Sequence, residues 1–136
     1  MKKFIKYKTL ILIFSFYFQN EAFAIKYVYN GSAVVQQTGP SYQGSVDQPV
    51  LRIDIDVASA GGPLTPLIAT QMKFVMANTN NADVTNAKLY YTANTPAFST
   101  GVLLGTIASP TDTITFNISQ DISAANTFYL WLAFDI

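Results

Sequence analysis

A chain of 136 residues that contains neither Cys nor His cannot form a Ser-His-Asp or Cys-His catalytic arrangement, or a metal site built on thiolate or imidazole. Eight basic residues balance eight acidic ones, but four of the basic residues lie within the first eight positions. Without residues 1–24 the chain keeps four basic and seven acidic residues and a net charge of −3. No basic patch then remains for a nucleic-acid backbone, so we expect no nucleic acid as a partner.

Residues 1–24 have the three parts of a secretory signal peptide. Four lysines form a positive segment, residues 10–18 form a short apolar segment, and Ala22-Phe23-Ala24 matches a small-x-small cleavage site. The apolar segment is about half the length that a bilayer span requires, which favours cleavage over a retained membrane helix. The sequence therefore predicts a secreted or cell-surface protein. Its mature chain, residues 25–136, is expected to be one domain without a membrane span.

Short extended segments follow one another along the mature chain. Residues 25–29 are the first predicted strand, ended by a turn at Asn30-Gly31, and residues 33–37 are the second. Residues 50–57 give the clearest pattern, because apolar side chains alternate strictly with charged ones. The remaining predicted strands are residues 68–77, 87–92, 102–107, 113–118 and 128–136. Residues 121–126 are predicted as a turn, with a single helical turn as the alternative.

The mature chain shows no helical periodicity over ten residues. About seven extended segments separated by turn residues predict an all-β fold, an antiparallel β-sandwich of Ig-like or jelly-roll-like type. A β-barrel is the alternative. The last predicted strand, the most apolar of the mature chain, ends at Ile136. We therefore expect either the N-terminal piece of a longer protein, truncated at its C-terminus, or a truncated reading frame.

Three aromatic residues are expected on outward strand faces: Tyr90, Tyr129 and Trp131. Flat amphipathic rings on a sheet can stack on sugar rings, so these residues are candidates for glycan contact. The alternative is that a neighbouring domain or a loop covers them.

Two acidic features are weaker candidates. Asp54 and Asp56 could form a glycosidase-like pair, but a solvated strand face beside Arg52 explains their spacing. The polar loop at residues 78–86 offers oxygen ligands for calcium, from Asn78, Asn80, Asn81, Asp83 and Asn86. It contains a single carboxylate and has no EF-hand spacing, so a polar turn is favoured. The sequence thus assigns no catalytic, cofactor-binding or metal-binding residue, and we expect no cofactor.

Two segments carry a family resemblance. Residues 73–80 (KFVMANTN) with 83–92 (DVTNAKLYYT), and residues 127–136 (TFYLWLAFDI), resemble the N-terminal domain associated with BNR-repeat neuraminidases (sialidases) of Bacteroidetes-type bacteria. Residues 48–53 (QPVLRI) also fit this pattern. The resemblance covers roughly residues 45–136, and the run at 83–92 is its most specific part.

The resemblance implies a β-sandwich attached to larger secreted or surface proteins, some with a sialidase propeller and others with adhesion domains. Sialidases of this kind use an arginine cluster, an acid/base Asp and a Tyr-Glu pair. The mature chain has one Arg and no Glu, so it cannot form the cluster. We therefore expect a non-catalytic accessory module found N-terminal to sialidase or adhesin domains, with a glycan or a neighbouring catalytic or adhesin domain as partner. The alternatives are a carbohydrate-binding module that uses the three aromatic residues, or a fragment of a larger sialidase (exo-alpha-sialidase).

Overall fold

The computed structural model describes residues 25–76 and 81–136, in which all the regular structure is extended except for one short turn of 3₁₀ helix. The predicted signal peptide, residues 1–24, and the predicted end of a strand at Ala77 lie outside the described residues. The described residues contain seven strands: β1 (Ile25–Gln36), β2 (Gln48–Gly61), β3 (Ile68–Val75), β4 (Asn86–Tyr91), β5 (Leu103–Ala108), β6 (Thr113–Asp121) and β7 (Thr127–Asp135). The 3₁₀ helix is Asn81–Asp83.

The strands form two antiparallel sheets of unequal size. Within the described part of the chain, one sheet has five strands in the order β1-β2-β7-β4-β5, and the other consists of β3 and β6. The chain crosses between the sheets four times, after β2, β3, β5 and β6. The predicted antiparallel β-sandwich of seven strands is confirmed. Among the described residues, no helix has the length and apolar character needed to cross a membrane.

The core lies between the two sheets and is built by period-two alternation. Ile53, Ile55 and Val57 of β2 face inward, as predicted, and pack with the inward residues of β7. Ile114 and Phe116 of β6 close the core from the second sheet. Because the chain contains no Cys and so has no disulfides, burial of these aliphatic and aromatic side chains is the main stabilising term.

Strand β7 is buried on both faces. It is the central strand of the larger sheet, with β2 on one side and β4 on the other. Its inward residues belong to the core, and its outward residues Trp131, Ala133 and Asp135 are also buried. A strand covered on both faces needs no polar side, and this explains the continuous apolar run in this part of the sequence.

One prediction about the first strands is wrong. Residues 25–29 and 33–37 are not two strands separated by a turn, because β1 runs unbroken from Ile25 to Gln36 along β2. The Asn30-Gly31 pair forms a bulge in this ladder, and the Asn30 amide donates a hydrogen bond to Asp56 Oδ2 at 2.5 Å. The alternative of a helical turn at residues 121–126 is also wrong, since β6 extends to Asp121 and no helix follows it.

Candidate functional site

The outer face of the five-stranded sheet, opposite the core, carries most of the paired charges. Strand register places Arg52, Trp131 and Tyr90 in one row across β2, β7 and β4. Lys88 lies beside Ala133 in the next row. All three candidate glycan-contacting residues, Tyr90, Tyr129 and Trp131, lie on this face.

Lys88 lies at the centre of a hydrogen-bonded group of five side chains, which we call the Lys88 network: Asp47, Asn86, Lys88, Tyr90 and Asp135. The Lys88 ammonium is 2.8 Å from Asp47 Oδ1 and 2.9 Å from Asp135 Oδ1. The Tyr90 hydroxyl donates to Asp47 Oδ1 at 2.6 Å, and the Asn86 amide donates to Asp135 Oδ2 at 2.9 Å. The backbone N–H of Asp47 also donates to Asp135 Oδ1, at 2.9 Å.

The network fixes the protonation states of its members. Hydrogen bonds from Lys88 and then from Tyr90 lower the pKa of Asp47. Burial acts to raise the pKa of Asp135, but the hydrogen bonds from the Asp47 backbone, Lys88 and Asn86 together outweigh it, and the pKa is lowered. Hydrogen bonds to the two carboxylates raise the pKa of Lys88. Burial and the bond to Asp47 raise the pKa of Tyr90 to about 12. All charged members are therefore ionised and Tyr90 is neutral at pH 7.

The loop between β1 and β2 supplies Asp47 to this network. Asp47 has a φ of 55°, in the left-handed region that Asp tolerates better than most residues. The loop is held against the end of β7 by two backbone hydrogen bonds, from Gly44 N–H to the Ile136 carbonyl and from Ile136 N–H to the Ser45 carbonyl. The network thus ties a long connection to the middle of the sheet, which is a structural role.

The loop between β4 and β5 covers the aromatic residues of the outer face. Phe98 makes edge-to-face contacts with Tyr90 and Trp131, at centroid distances of 5.6 and 5.5 Å. The Trp131 Nε1–H donates to Thr92 Oγ1 at 3.1 Å. As a result, Tyr90 and Trp131 are each only 4% exposed.

The remaining aromatic candidate is part of a different contact. Tyr129 is half-buried, and the guanidinium carbon of Arg52 lies 5.2 Å from the centre of its ring. Arg52 also binds Asp54 through two hydrogen bonds, at 2.7 and 2.9 Å. The predicted solvated face beside Arg52 is therefore a bidentate ion pair packed on an aromatic ring.

The three predicted glycan-contacting residues do lie on the outer face, but two of them are not exposed. Tyr90 and Trp131 are buried under Phe98 and could meet a sugar ring only if this loop moved. Sequence reasoning placed the side chains correctly, and it named a covering loop only as an alternative. The covering residue, Phe98, was missed, because a single aromatic residue in a polar loop has no periodicity to reveal it. Glycan contact through these residues stays a prediction.

Asp54 and Asp56, the two members of the candidate glycosidase-like pair, both bind other side chains of this chain. Asp54 binds Arg52, and Asp56 accepts hydrogen bonds from Asn30 and Thr127. In the polar loop, Asn86 donates to Asp135, and Asn78 and Asn80 lie outside the described residues. Within residues 25–76 and 81–136, no three acidic side chains are grouped so that they could hold a metal ion.

A second feature lies on the inner side of the larger sheet. The inward residues of β1 are only partly covered, although those of β2 beside them are buried, and this leaves an apolar groove of about 540 Å³. Its floor includes Val34 and Ile53, and one wall is the edge of β3 with Met72 and Phe74. Val34 faces the same side as the buried Ile53, its partner in the ladder, yet it is 64% exposed. Sequence patterns did not predict this groove, since they do not reveal how strands divide between sheets.

Comparisons with known proteins found no match: no family model matches the chain, and neither the curated proteins nor the solved structures give a match.

Proposed function

We propose that this chain is an exported, non-catalytic accessory module that packs against a larger partner, of the kind found beside sialidase or adhesin domains. The observation that carries the proposal is the uneven sandwich. A five-stranded sheet faces a two-stranded one, and the inner face of β1 and β2 keeps an apolar groove with Val34 at its surface. Apolar surface of this kind, rimmed by polar residues, marks interaction sites.

The outer face supports the same proposal. Its charged groups hold each other in the Lys88 network and in the Arg52–Asp54 pair. A catalytic acid or base needs a pKa near the working pH. The shifts of Asp47, Asp135, Lys88 and Tyr90 all move the pKa away from neutrality instead. The resemblance to sialidase-associated N-terminal domains agrees with an accessory role.

Turnover of a fluorogenic sialoside tests the non-catalytic part of the proposal. The full chain, produced in an exporting bacterial host, is incubated with the substrate beside an authentic sialidase at equal concentration. We expect no release of fluorophore above the buffer rate. Clear turnover by the chain would contradict the proposal.

Export has its own measurement. Intact-mass analysis of protein recovered outside the cytoplasm should show a chain that begins at Ile25, because Ala22-Phe23-Ala24 is the predicted cleavage site. Introducing a large charged residue by Ala24→Lys should prevent this processing, while Gln19→Lys, outside the cleavage site, serves as the matched control. Recovery of the uncleaved wild-type chain in the cytoplasm would contradict export.

A further inference from the structure

The smaller sheet leaves room beside β3. Neighbouring strands in a sheet lie about 4.8 Å apart, so the five-stranded sheet is wider than its two-stranded partner by roughly 14 Å. The groove occupies part of this difference, because its floor is formed by inward residues of β1 and β2. The free space therefore lies in the position where a further strand of the smaller sheet would be.

One edge of β3 has no strand partner among the described residues. β3 pairs with β6 on its other edge only. Just after β3, the N–H of Met76 donates to the Asp112 carbonyl at 2.8 Å, on the β6 side. Successive residues of an antiparallel strand direct their N–H and C=O groups to opposite edges, so those of Lys73 and Val75 are directed away from β6. An edge of this kind is a template for pairing with another extended chain.

The side chains of the groove define what such a chain must carry. Its floor and wall are largely aliphatic and aromatic, with Val34, Ile53 and Phe74 among them. Lys73 is the one charged residue in the lining, and it makes no ion pair among the described residues. A complementary strand presents apolar side chains to the floor on alternate residues and a carboxylate near Lys73.

The same geometry argues against a second copy of this sandwich as the occupant. Suppose that the β3 edges of two copies paired. The wide sheet of the second copy would then have to occupy the space that β1 and β2 of the first copy already fill. A single strand requires only one strand spacing. It also satisfies backbone groups that an apolar small molecule or lipid would leave unpaired.

We propose that this groove binds an extended strand donated by a partner protein. The strand is hydrogen-bonded to the free edge of β3, with apolar residues on the floor and an acidic residue beside Lys73. The inference rests on the proposed accessory role and specifies its mode of contact, β-strand addition. In the complex, the smaller sheet has at least three strands and Val34 is covered.

Selection from a phage-displayed library of 11-residue peptides, on the full exported chain, tests the proposal. We expect the selected peptides to show period-two alternation of apolar residues with at least one Asp or Glu. The substitution Val75→Pro removes a backbone N–H from the free edge and leaves the β6 ladder intact. It should weaken binding of the selected synthetic peptides by about tenfold, the effect of one lost hydrogen bond of roughly 1.4 kcal/mol.

The matched control is Val75→Thr, which keeps the N–H and should bind as the wild type does. Should Val75→Pro fail to fold, N-methylated peptides make the same test. Methylation of the alternate amides that face β3 should abolish binding, whereas methylation of the other set should not. Selection of no alternating peptide, or peptides indifferent both to Val75→Pro and to methylation, would overturn the proposal. Sialoside turnover tests the accessory role alone, and peptide selection tests strand binding. Failure of the accessory role can therefore be distinguished from failure of strand binding.

Discussion

Removal of the Lys88 ammonium is the sharpest test of how the outer face is held together. The substitution Lys88→Met keeps most of the apolar stem and deletes the charge. It leaves Asp47 and Asp135 close together, each within 3 Å of where the ammonium was, with side chains only 26% and 12% exposed. Both carboxylates would then repel each other without a counter-charge.

The expected loss of stability follows from this burial. Breaking a fully buried ion pair by removing one partner costs about 3–5 kcal/mol. Because the carboxylates keep some contact with water, which screens them, we reduce this figure and expect the free energy of unfolding to fall by about 2–3 kcal/mol. For a domain of this size, that corresponds to a fall in Tm of roughly 8–12 °C.

The assay is thermal and urea unfolding, monitored through the fluorescence of the only tryptophan. Lys73→Met is the matched control, because Lys73 is exposed and without an ion pair among the described residues. We expect its effect to stay within about 0.5 kcal/mol. Adding Asp47→Asn and Asp135→Asn to Lys88→Met removes the uncompensated charges and should recover part of the lost stability.

The pH dependence gives an independent signature. The pKa values of Asp47 and Asp135 are lowered in the folded state. Their contribution is therefore complete above the unfolded value of about 3.9 and is lost as pH falls below it. The difference in stability between wild type and Lys88→Met should be constant from pH 5 to 9 and should narrow below pH 4. A loss under about 1 kcal/mol at pH 7, or a triple variant no more stable than Lys88→Met, would refute the argument.

Three further results are expected. Phe98→Ala should shift the emission of the single tryptophan to longer wavelength and increase its quenching by acrylamide, because Phe98 covers that ring; unchanged quenching would contradict this. Gly105→Ala should destabilise the fold by about 1–3 kcal/mol, since the added methyl would lie 3.0 Å from the buried Phe116 ring, whereas Gly31→Ala, with open space around it, is the control. Because the pKa of Tyr90 is raised to about 12, stability should fall between pH 10 and 12, and Tyr90→Phe should flatten this fall.

The local alternation of apolar and polar residues was sufficient to predict the fold class and most strands. The pattern at residues 50–57 identified the inward face of β2, with Ile53 and Ile55 in the core. It could not predict the unbroken β1, because Asn30-Gly31 is a strong turn signal and only pairing with β2 makes it a bulge. Tertiary pairing overrode the local preference at that point.

The outer face shows a different limit of sequence reasoning. Alternation correctly directed Tyr90 and Trp131 away from the core, but it carries no information on what covers them. Phe98 is eight residues beyond Tyr90 in sequence, and Asp47 is 43 residues before it. Contacts at such separations depend on how loops return to the sheet, and no periodic pattern encodes that.

Polar and apolar residues have different roles on the two faces of the larger sheet. On the outer face, polar residues are used to anchor loops, and the aromatic residues are covered by the chain itself. On the inner face, the alternation of inward and outward side chains continues into β1, and Val34 has the position of a core residue but stays 64% exposed. A lone exposed valine requires no explanation. A valine at a core position, beside a strand edge that has no partner among the described residues, is the arrangement expected where another chain completes the sandwich.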